Sequence, residues 1–230
     1  NTIEAADYDH TSWCTTRNDE VNLCYFCDGK KHHLHSNYNI QRENEKWFQS
    51  LELEDTEDGY VLYIYGIGLG YSYDIIKPWL DESVKHSLVY LEDDTAILRR
   101  FFETNRAADI LEDKQVSIFY LGDTKDQKEA KCQFLSQFFI HLSFSMVPLP
   151  HYGLVKRGDF DSIRLTMHHA AAYGNFTSLE LLSFGKSHFL NLYHSLLFLE
   201  KSQWGYSLLK RFKGVPAIVC GAGPSLDKNF

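Results

Sequence analysis

The sequence lacks an excess of positive charge and lacks any long uninterrupted apolar run. Its 230 residues include 23 Lys and Arg against 31 Asp and Glu, a formal net charge of -8. A general DNA- or RNA-binding surface needs clustered basic residues that neutralise phosphates, so this balance argues against one. The longest candidate for a membrane span, residues 134–147, is shorter than the ~20 residues required and is interrupted by polar side chains.

Cysteine is scarce, with five residues in the chain. The number is odd and the last two cysteines lie in apolar segments, which favours reduced thiols over a disulfide framework. The first ten residues are acidic and polar, unlike a secretory signal or a basic transit peptide. These features predict a cytoplasmic protein, while the 44% hydrophobic and 15% aromatic content is sufficient for a substantial core. The five cysteines are Cys14, Cys24, Cys27, Cys132 and Cys220.

The N-terminal region has the pattern of a small β-hairpin followed by a helix. Val21–Cys27 is rich in β-branched and aromatic residues, Asp28-Gly29 is a turn signal, and Lys30–Ser36 is suited to a return strand. A helix is then predicted over Asn39–Leu51, with Asn39 as its N-cap.

Strand and helix patterns alternate through the middle of the chain, which predicts a Rossmann-like parallel sheet with flanking helices. The later part carries apolar residues at helical spacing and is predicted to be a helical linker. The predicted domains are 1–52 (hairpin and helix), 53–158 (Rossmann-like), 159–213 (helical linker) and 214–230 (the start of a second α/β domain). The predicted strands are Tyr60–Tyr65, Ser87–Leu91 and Val116–Leu121, and the predicted helices are Tyr71–Leu80, Thr95–Asn105, Lys125–Ser145, Asp161–Tyr173 and Phe189–Phe212.

A glycine turn joins the first predicted strand of this sheet to its helix. Gly66, Gly68 and Gly70 would let a ligand approach the backbone, and Glu92, at the end of the next strand, could accept hydrogen bonds from ribose hydroxyls. Such a site would suit a nucleotide or S-adenosylmethionine, although methyltransferases usually carry an acid where this chain has Tyr65. Alternatively, the glycines serve only chain reversal and close packing of the helix.

Two groups of potential metal ligands occur near the hairpin, but no metal site is predicted. Cys24 and Cys27 lie three residues apart on a predicted strand, so their side chains should point to opposite faces. No second CxxC pair accompanies them. His33 and His35 would share a strand face, for which an exposed polar surface is the more common explanation.

The end of the chain carries its sharpest motif. The apolar run Val215–Cys220 is typical of a buried strand, and Gly221-Ala222-Gly223-Pro224-Ser225-Leu226 is typical of a tight turn that opens a helix. Backbone amides at a helix N-terminus attract phosphate, so this pattern is typical of a nucleotide-binding α/β unit. We therefore expect the chain to be the front part of a longer protein whose second α/β domain is truncated here.

This segment closely resembles the opening of the catalytic domain in the motility accessory factor family, which is similar to 6-hydroxymethylpterin pyrophosphokinase-like proteins of archaea. The basic segment Lys210–Lys213 and the Gly-Val-Pro-Ala that follows it strengthen the resemblance. Near the start of the chain, Tyr38–Glu45 also looks like a segment of these proteins that follows a hairpin. The sharp motifs of the resemblance therefore lie at the two ends of the chain.

The resemblance implies a flagellin glycosyltransferase that moves a nonulosonic acid from a CMP donor onto Ser or Thr hydroxyls. By position, Gly221, Gly223 and Ser225 would line the nucleotide, whereas Ala222 replaces an Asn found in related sialyltransferases. The catalytic base would lie beyond Phe230, so the present chain would be an accessory part without activity of its own. The archaeal relatives instead transfer pyrophosphate to a pterin, and the glycine turn does not separate the two activities.

Overall fold

The structure, a computed structural model, describes residues 10–27, 29–53, 59–136, 143–202 and 205–216. Its strands are β1 (Thr11–Thr15), β2 (Val21–Cys27), β3 (Lys30–His33), β4 (Tyr60–Tyr65), β5 (His86–Glu92), β6 (Val116–Tyr120) and β7 (Ser143–Pro148). Its helices are α1 (Ile40–Gln49), α2 (Tyr71–Glu82), α3 (Thr95–Phe102), α4 (Arg106–Glu112), α5 (Lys125–Ser136), α6 (Pro150–Val155) and α7 (Arg157–Leu197). Two short 3-10 helices follow, at Leu199–Lys201 and Gly205–Leu208.

A four-stranded sheet in the order β6-β5-β4-β7 forms the centre of the fold, and all of its neighbouring strands are parallel. Every residue of β4 is buried, as its unbroken sequence Tyr-Val-Leu-Tyr-Ile-Tyr requires for a strand covered on both faces. Helices connect the strands, so the sheet has the mixed α/β, Rossmann-like architecture predicted from the alternating pattern.

A separate antiparallel sheet in the order β1-β2-β3 precedes the parallel one. β2 and β3 are the predicted hairpin, and Gly29 between them has φ +72°, a conformation that glycine adopts without strain. The structure adds β1, which the sequence patterns did not indicate. Leu23, Tyr25 and Leu34 of this region belong to the same hydrophobic core as the parallel sheet.

Two predicted helices differ from the structure. The helix predicted over Lys125–Ser145 is described as α5 over Lys125–Ser136, and Ser143–Pro148 form the strand β7 where the prediction had the end of this helix. Its Ser-Phe-Ser-Met-Val-Pro sequence alternates and pairs with the whole of β4, so sheet pairing outweighs local helix propensity there. At the other end, α7 runs without a break through the first of the two predicted C-terminal helices and stops within the second, at Leu197.

Contacts divide the chain into two compact units, one ending at Leu179 and the other beginning at Glu180. The first contains both sheets, and the second contains the end of α7 and the 3-10 helices. Within the described residues, no helix combines the length and the apolarity needed to cross a membrane. Of the predicted second α/β domain, 214–230, the structure describes residues 214–216, and the turn at Gly221 lies outside the described residues.

The N-cap of α1 offers a direct test of the local structure. The Asn39 side chain accepts a hydrogen bond of 2.6 Å from the backbone N–H of Arg42, as predicted for an N-cap. We expect Asn39→Ala to lower the free energy of unfolding by about 1 kcal/mol, because one N–H of the first turn loses its acceptor. Asn39→Asp should stay within ~0.5 kcal/mol of the native chain in urea unfolding, since it keeps the acceptor. Equal losses in the two variants would contradict a capping role.

Candidate functional site

The candidate site lies where the strand order of the parallel sheet reverses. β4 is followed along the sheet by β5 and β6 on one side, whereas the next strand in the chain, β7, pairs with its other side. In open α/β sheets, ligands bind in the crevice at the carboxyl ends of the strands at this reversal. The turn with Gly66, Gly68 and Gly70 and the residue Glu92 both lie at this edge, as the sequence predicted.

Tyr152 fills the crevice above the first glycine. It belongs to α6, which begins directly after β7, and its side chain is almost fully buried. Gly66 has φ +94°, and a Cβ placed on it would lie 2.6 Å from three carbon atoms of the Tyr152 ring. The close approach that glycine permits is therefore used here by a side chain of the protein itself.

His35 occupies the same position relative to the second glycine. A Cβ placed on Gly68 would lie 2.7 Å from the His35 ring, and the backbone N–H of Leu69 donates to Nε2 of His35 at 3.1 Å. Burial, together with the charges of His151 and Arg106, lowers the pKa of His35 to about 3. His35 therefore remains a neutral acceptor at physiological pH, and it engages an amide that could otherwise face a phosphate.

Glu92 is completely buried, and both of its carboxylate oxygens accept hydrogen bonds from the protein. Oε2 accepts from the Ile67 N–H at 3.1 Å and from the Tyr152 hydroxyl at 2.6 Å. Oε1 accepts from the backbone N–H groups of Asp93 and Asp94, both at 3.0 Å. Burial raises the pKa of Glu92 to about 7, and Asp93 adds to the shift, while Lys156 and Tyr152 oppose it. This carboxylate thus ties the glycine turn to α6.

Asp93 is the second buried acid, and two lysines neutralise it. Its Oδ1 is 2.6 Å from Lys156 Nζ, and its Oδ2 is 2.6 Å from Lys128 Nζ and accepts a 2.7 Å hydrogen bond from the Tyr65 hydroxyl. Burial alone would raise the pKa of Asp93, but the two ammonium groups hold it below its ordinary value. Tyr65, which occupies the position where methyltransferases usually carry an acid, thus donates a hydrogen bond to Asp93, the residue directly after β5.

The small antiparallel sheet and the turn preceding it cover this edge. His10 Nε2 is 3.0 Å from a carboxylate oxygen of Asp94, and the Tyr71 hydroxyl donates to the Val21 carbonyl at 2.7 Å. Tyr25 contacts His151 through its hydroxyl at 3.1 Å and through its ring. The carboxyl edge, which in α/β proteins commonly receives the ligand, therefore receives a part of the same chain.

An open cleft of about 430 Å³ lies beside the acidic cluster and shares Lys128 with it. Three carboxylates and two ammonium groups line it, and one of these ammonium groups is already paired with Asp93. That balance does not favour a phosphate. The cleft is lined by Asp123, Lys125, Lys128, Glu129, Gly158, Asp159, Ser162 and Ile163.

The sequence located the glycine turn and Glu92 correctly, and the structure brings them together. The sequence did not indicate that four further residues converge on them. Tyr152 lies in α6, Lys156 directly after α6, Lys128 in α5 and His35 after β3. The three residues carried over from the family resemblance, Gly221, Gly223 and Ser225, lie outside the described residues.

Comparisons with known proteins do not place the chain in a family. No protein-family model matches the chain, and no curated protein matches it. Among solved structures, the chain is similar to the crystal structure of MnmC2 from Aquifex aeolicus, with 12% identity and a TM-score of 0.33. The alignment covers 56% of this chain and 46% of that one, so the present chain spans less than half of its length. A likeness of this strength carries no argument about function.

The packing of Tyr152 on the turn can be tested at Gly66. We expect Gly66→Ala to lower the free energy of unfolding by about 2 to 5 kcal/mol, because the new methyl group meets the Tyr152 ring at a positive φ. Gly158→Ala, in α7, is the matched control, since a Cβ there meets nothing within 4 Å. It should change stability in urea by no more than ~1 kcal/mol. Similar losses at both positions would show that the turn is not tightly packed.

The buried neutral state of His35 predicts that the free energy of unfolding depends on pH. Because the pKa of His35 is about 3 in the folded chain and 6.5 ordinarily, the unfolded chain binds the extra proton between these values. Stability is then lost as the pH falls below 6.5, by up to about 1.4 kcal/mol per pH unit. In His35→Gln, the side-chain amide oxygen can still accept from the Leu69 N–H, and the side chain does not titrate. Urea unfolding at pH 7.0 and 5.0 should show a smaller acid loss in this variant, whereas equal losses would contradict the assignment.

Proposed function

We propose that the α/β unit ending at Leu179 is an accessory domain of a transferase of the motility accessory factor type. In this proposal, the parent protein transfers a nonulosonic acid from a CMP donor to Ser or Thr of a flagellin-like acceptor. The unit would help to position the acceptor or a partner, without binding the nucleotide itself. The nucleotide would instead contact the turn with Gly221, Gly223 and Ser225, in line with the family resemblance.

The filled crevice is the observation that carries the accessory role. Tyr152 and His35 occupy the space beside the glycines, and the N–H groups of Ile67 and Leu69 already donate to Glu92 and His35. A nucleotide or S-adenosylmethionine at this turn would have to displace both side chains. It would also leave Glu92, which is fully buried, without two of its donors, and an unpaired buried carboxylate is costly.

The proposal also assigns the protein to the cytoplasm, where CMP-activated sugars and reduced thiols both occur. Cys14, Cys24 and Cys132, the described cysteines whose side chains can be assigned, are free thiols. Inverting transfer needs a base for the acceptor hydroxyl and donors for the departing phosphate. Neither is assigned to the described residues in this proposal.

The competing candidate is an enzyme that binds a nucleotide or S-adenosylmethionine at the first glycine turn. The strand order and the position of Gly66 at the strand reversal favour it. The two candidates differ in one property, which is whether small ligands reach residues 66–70. A pterin pyrophosphokinase-like activity, the other branch of the resemblance, would require binding of a hydroxymethylpterin.

Ligand binding by the purified 230-residue chain separates these candidates. Calorimetry would measure binding of CMP, S-adenosylmethionine, ATP and 6-hydroxymethylpterin at millimolar concentration, and biolayer interferometry would measure binding of unglycosylated flagellin. We expect saturable binding of flagellin and no binding of the small ligands. Hydrogen exchange at the amides of Gly66, Ile67, Leu69 and Gly70 should be unchanged by each small ligand, because these four amides already have internal partners.

Each outcome decides between the candidates. A nucleotide or S-adenosylmethionine that binds and slows exchange at residues 66–70 would replace the accessory role with the enzyme. Binding of the pterin would favour the pyrophosphokinase branch. Absence of flagellin binding would remove the acceptor-positioning role, and transfer of a CMP-activated sugar by the 230-residue chain alone would contradict its inactivity.

A further inference from the structure

The antiparallel sheet carries a cluster of two thiols and one imidazole on one of its faces. Cys24 on β2 lies directly opposite His33 on β3. Cys14 on β1 is the diagonal neighbour of Cys24, because Ser12 is paired with Cys24 and Cys14 comes two residues later. One residue from each strand therefore contributes to the cluster.

The three ligand atoms are close enough to share one ion. The Sγ atoms of Cys14 and Cys24 are 2.6 Å apart, and His33 Nδ1 is 3.4 Å from Cys24 Sγ and 3.7 Å from Cys14 Sγ. In a tetrahedral zinc site, bond lengths of ~2.3 Å to sulfur and ~2.05 Å to nitrogen place sulfur and nitrogen about 3.5 Å apart. Both sulfur-to-nitrogen distances are near this value, and the sulfurs need to separate by about 1 Å to reach ~3.8 Å.

We propose that Cys14, Cys24 and His33 bind a thiophilic divalent cation, for which Zn²⁺ is the best match. Two thiolates and an imidazole are soft and borderline ligands, which select zinc over magnesium or calcium. Among the described residues, these three side chains form the group that can hold a metal, so a fourth tetrahedral position is open to water or to an external ligand. The proposal is independent of the accessory role proposed above.

The burial of the cluster suits a metal that enters from solvent. Cys24 is fully buried, whereas Cys14 and His33 are partly exposed, which gives an ion a path to the site. Binding replaces the thiol protons by the ion and links the three strands of a small sheet. Small elements with limited cores are commonly stabilised by such links.

The neighbouring cysteines also permit a second chemistry, a disulfide between Cys14 and Cys24. Its formation removes two protons and two electrons and needs an external oxidant, such as oxidised glutathione. A disulfide takes no part of its geometry from His33, whereas the imidazole lies at ligand distance from both sulfurs. The position of His33 therefore favours the metal, and the disulfide is one outcome of the test.

The test uses the 230-residue chain, reduced and handled without oxygen. Zn²⁺ would be titrated by calorimetry against a competing chelator, and the metal content measured after gel filtration. Co²⁺ would then replace Zn²⁺ as a spectroscopic probe. We expect one ion per chain, a thiolate-to-cobalt charge-transfer band and the visible bands of tetrahedral cobalt. These bands distinguish the cluster from weak binding by surface histidines, which give no thiolate band.

Matched variants then locate the site. Cys14→Ser, Cys24→Ser and His33→Gln should each weaken Zn²⁺ binding strongly. The loss should exceed the factor of about 10 to 100 that is typical when a residue that only orients a metal ligand is replaced. Cys132→Ala, which removes a buried thiol elsewhere, and His32→Gln, at the adjacent histidine, should leave the affinity unchanged. X-ray absorption of zinc in the unaltered chain gives a second measurement, with two sulfur ligands and one imidazole expected, should a variant fail to fold.

Three results would overturn the proposal. One is the absence of Zn²⁺ binding by the reduced chain, and another is binding that all the cluster variants retain. The third is a cobalt spectrum or absorption edge without sulfur ligands. A loss of 2 Da on treatment with oxidised glutathione, with Cys14 and Cys24 linked and no metal bound by the reduced chain, would assign the pair to redox chemistry instead.

Discussion

The fold depends on the partners of two buried acids at the end of β5, Glu92 and the Asp93 that directly follows it. Glu92 and Asp93 are buried at the edge where parallel strands present their carboxyl ends, and a buried carboxylate without partners is costly. Backbone N–H groups and the Tyr152 hydroxyl satisfy Glu92, while Lys128 and Lys156 neutralise Asp93. Removing one member of a buried ion pair typically costs about 3 to 5 kcal/mol, so these contacts tie β5 to α5, α6 and the glycine turn.

The contacts of these acids also change how the glycine turn should be interpreted. In a dinucleotide-binding unit, glycines admit the pyrophosphate and the acid at the end of the second strand receives a ribose. Here, the same positions admit the rings of Tyr152 and His35, and the acid accepts hydrogen bonds from the Ile67 N–H of the turn and from the Tyr152 hydroxyl. The geometry that makes a turn suitable for a ligand makes it equally suitable for an internal side chain. A glycine pattern therefore identifies a close approach without identifying what approaches.

The parts that the sequence predicted correctly are those set by local patterns. The β2–β3 hairpin, the cap at Asn39, the buried strand β4 and the turn at Gly66 all follow from periodicity and turn chemistry. The strand β7 was missed, and its first residues, Ser143–Ser145, were predicted as helix. Its partner strand β4 lies about 80 residues earlier in the chain, so no local pattern indicates the pairing. Likewise, no local pattern links Tyr152 to Gly66 or His33 to Cys14, since each pair meets only through strand order and register.

The small antiparallel sheet connects the crevice at the glycine turn with the proposed metal site. Asn22 and His35 join its second strand to the segment after its third, because the Asn22 side chain donates to the His35 carbonyl and accepts from the His35 N–H. His35 in turn accepts from the glycine turn at Leu69. The Cys14, Cys24 and His33 cluster lies in the same sheet, and His33 precedes His35 by two residues in the chain. An ion bound there would therefore hold in place the strands that position His35, and so would reinforce the closure of the crevice at Gly68.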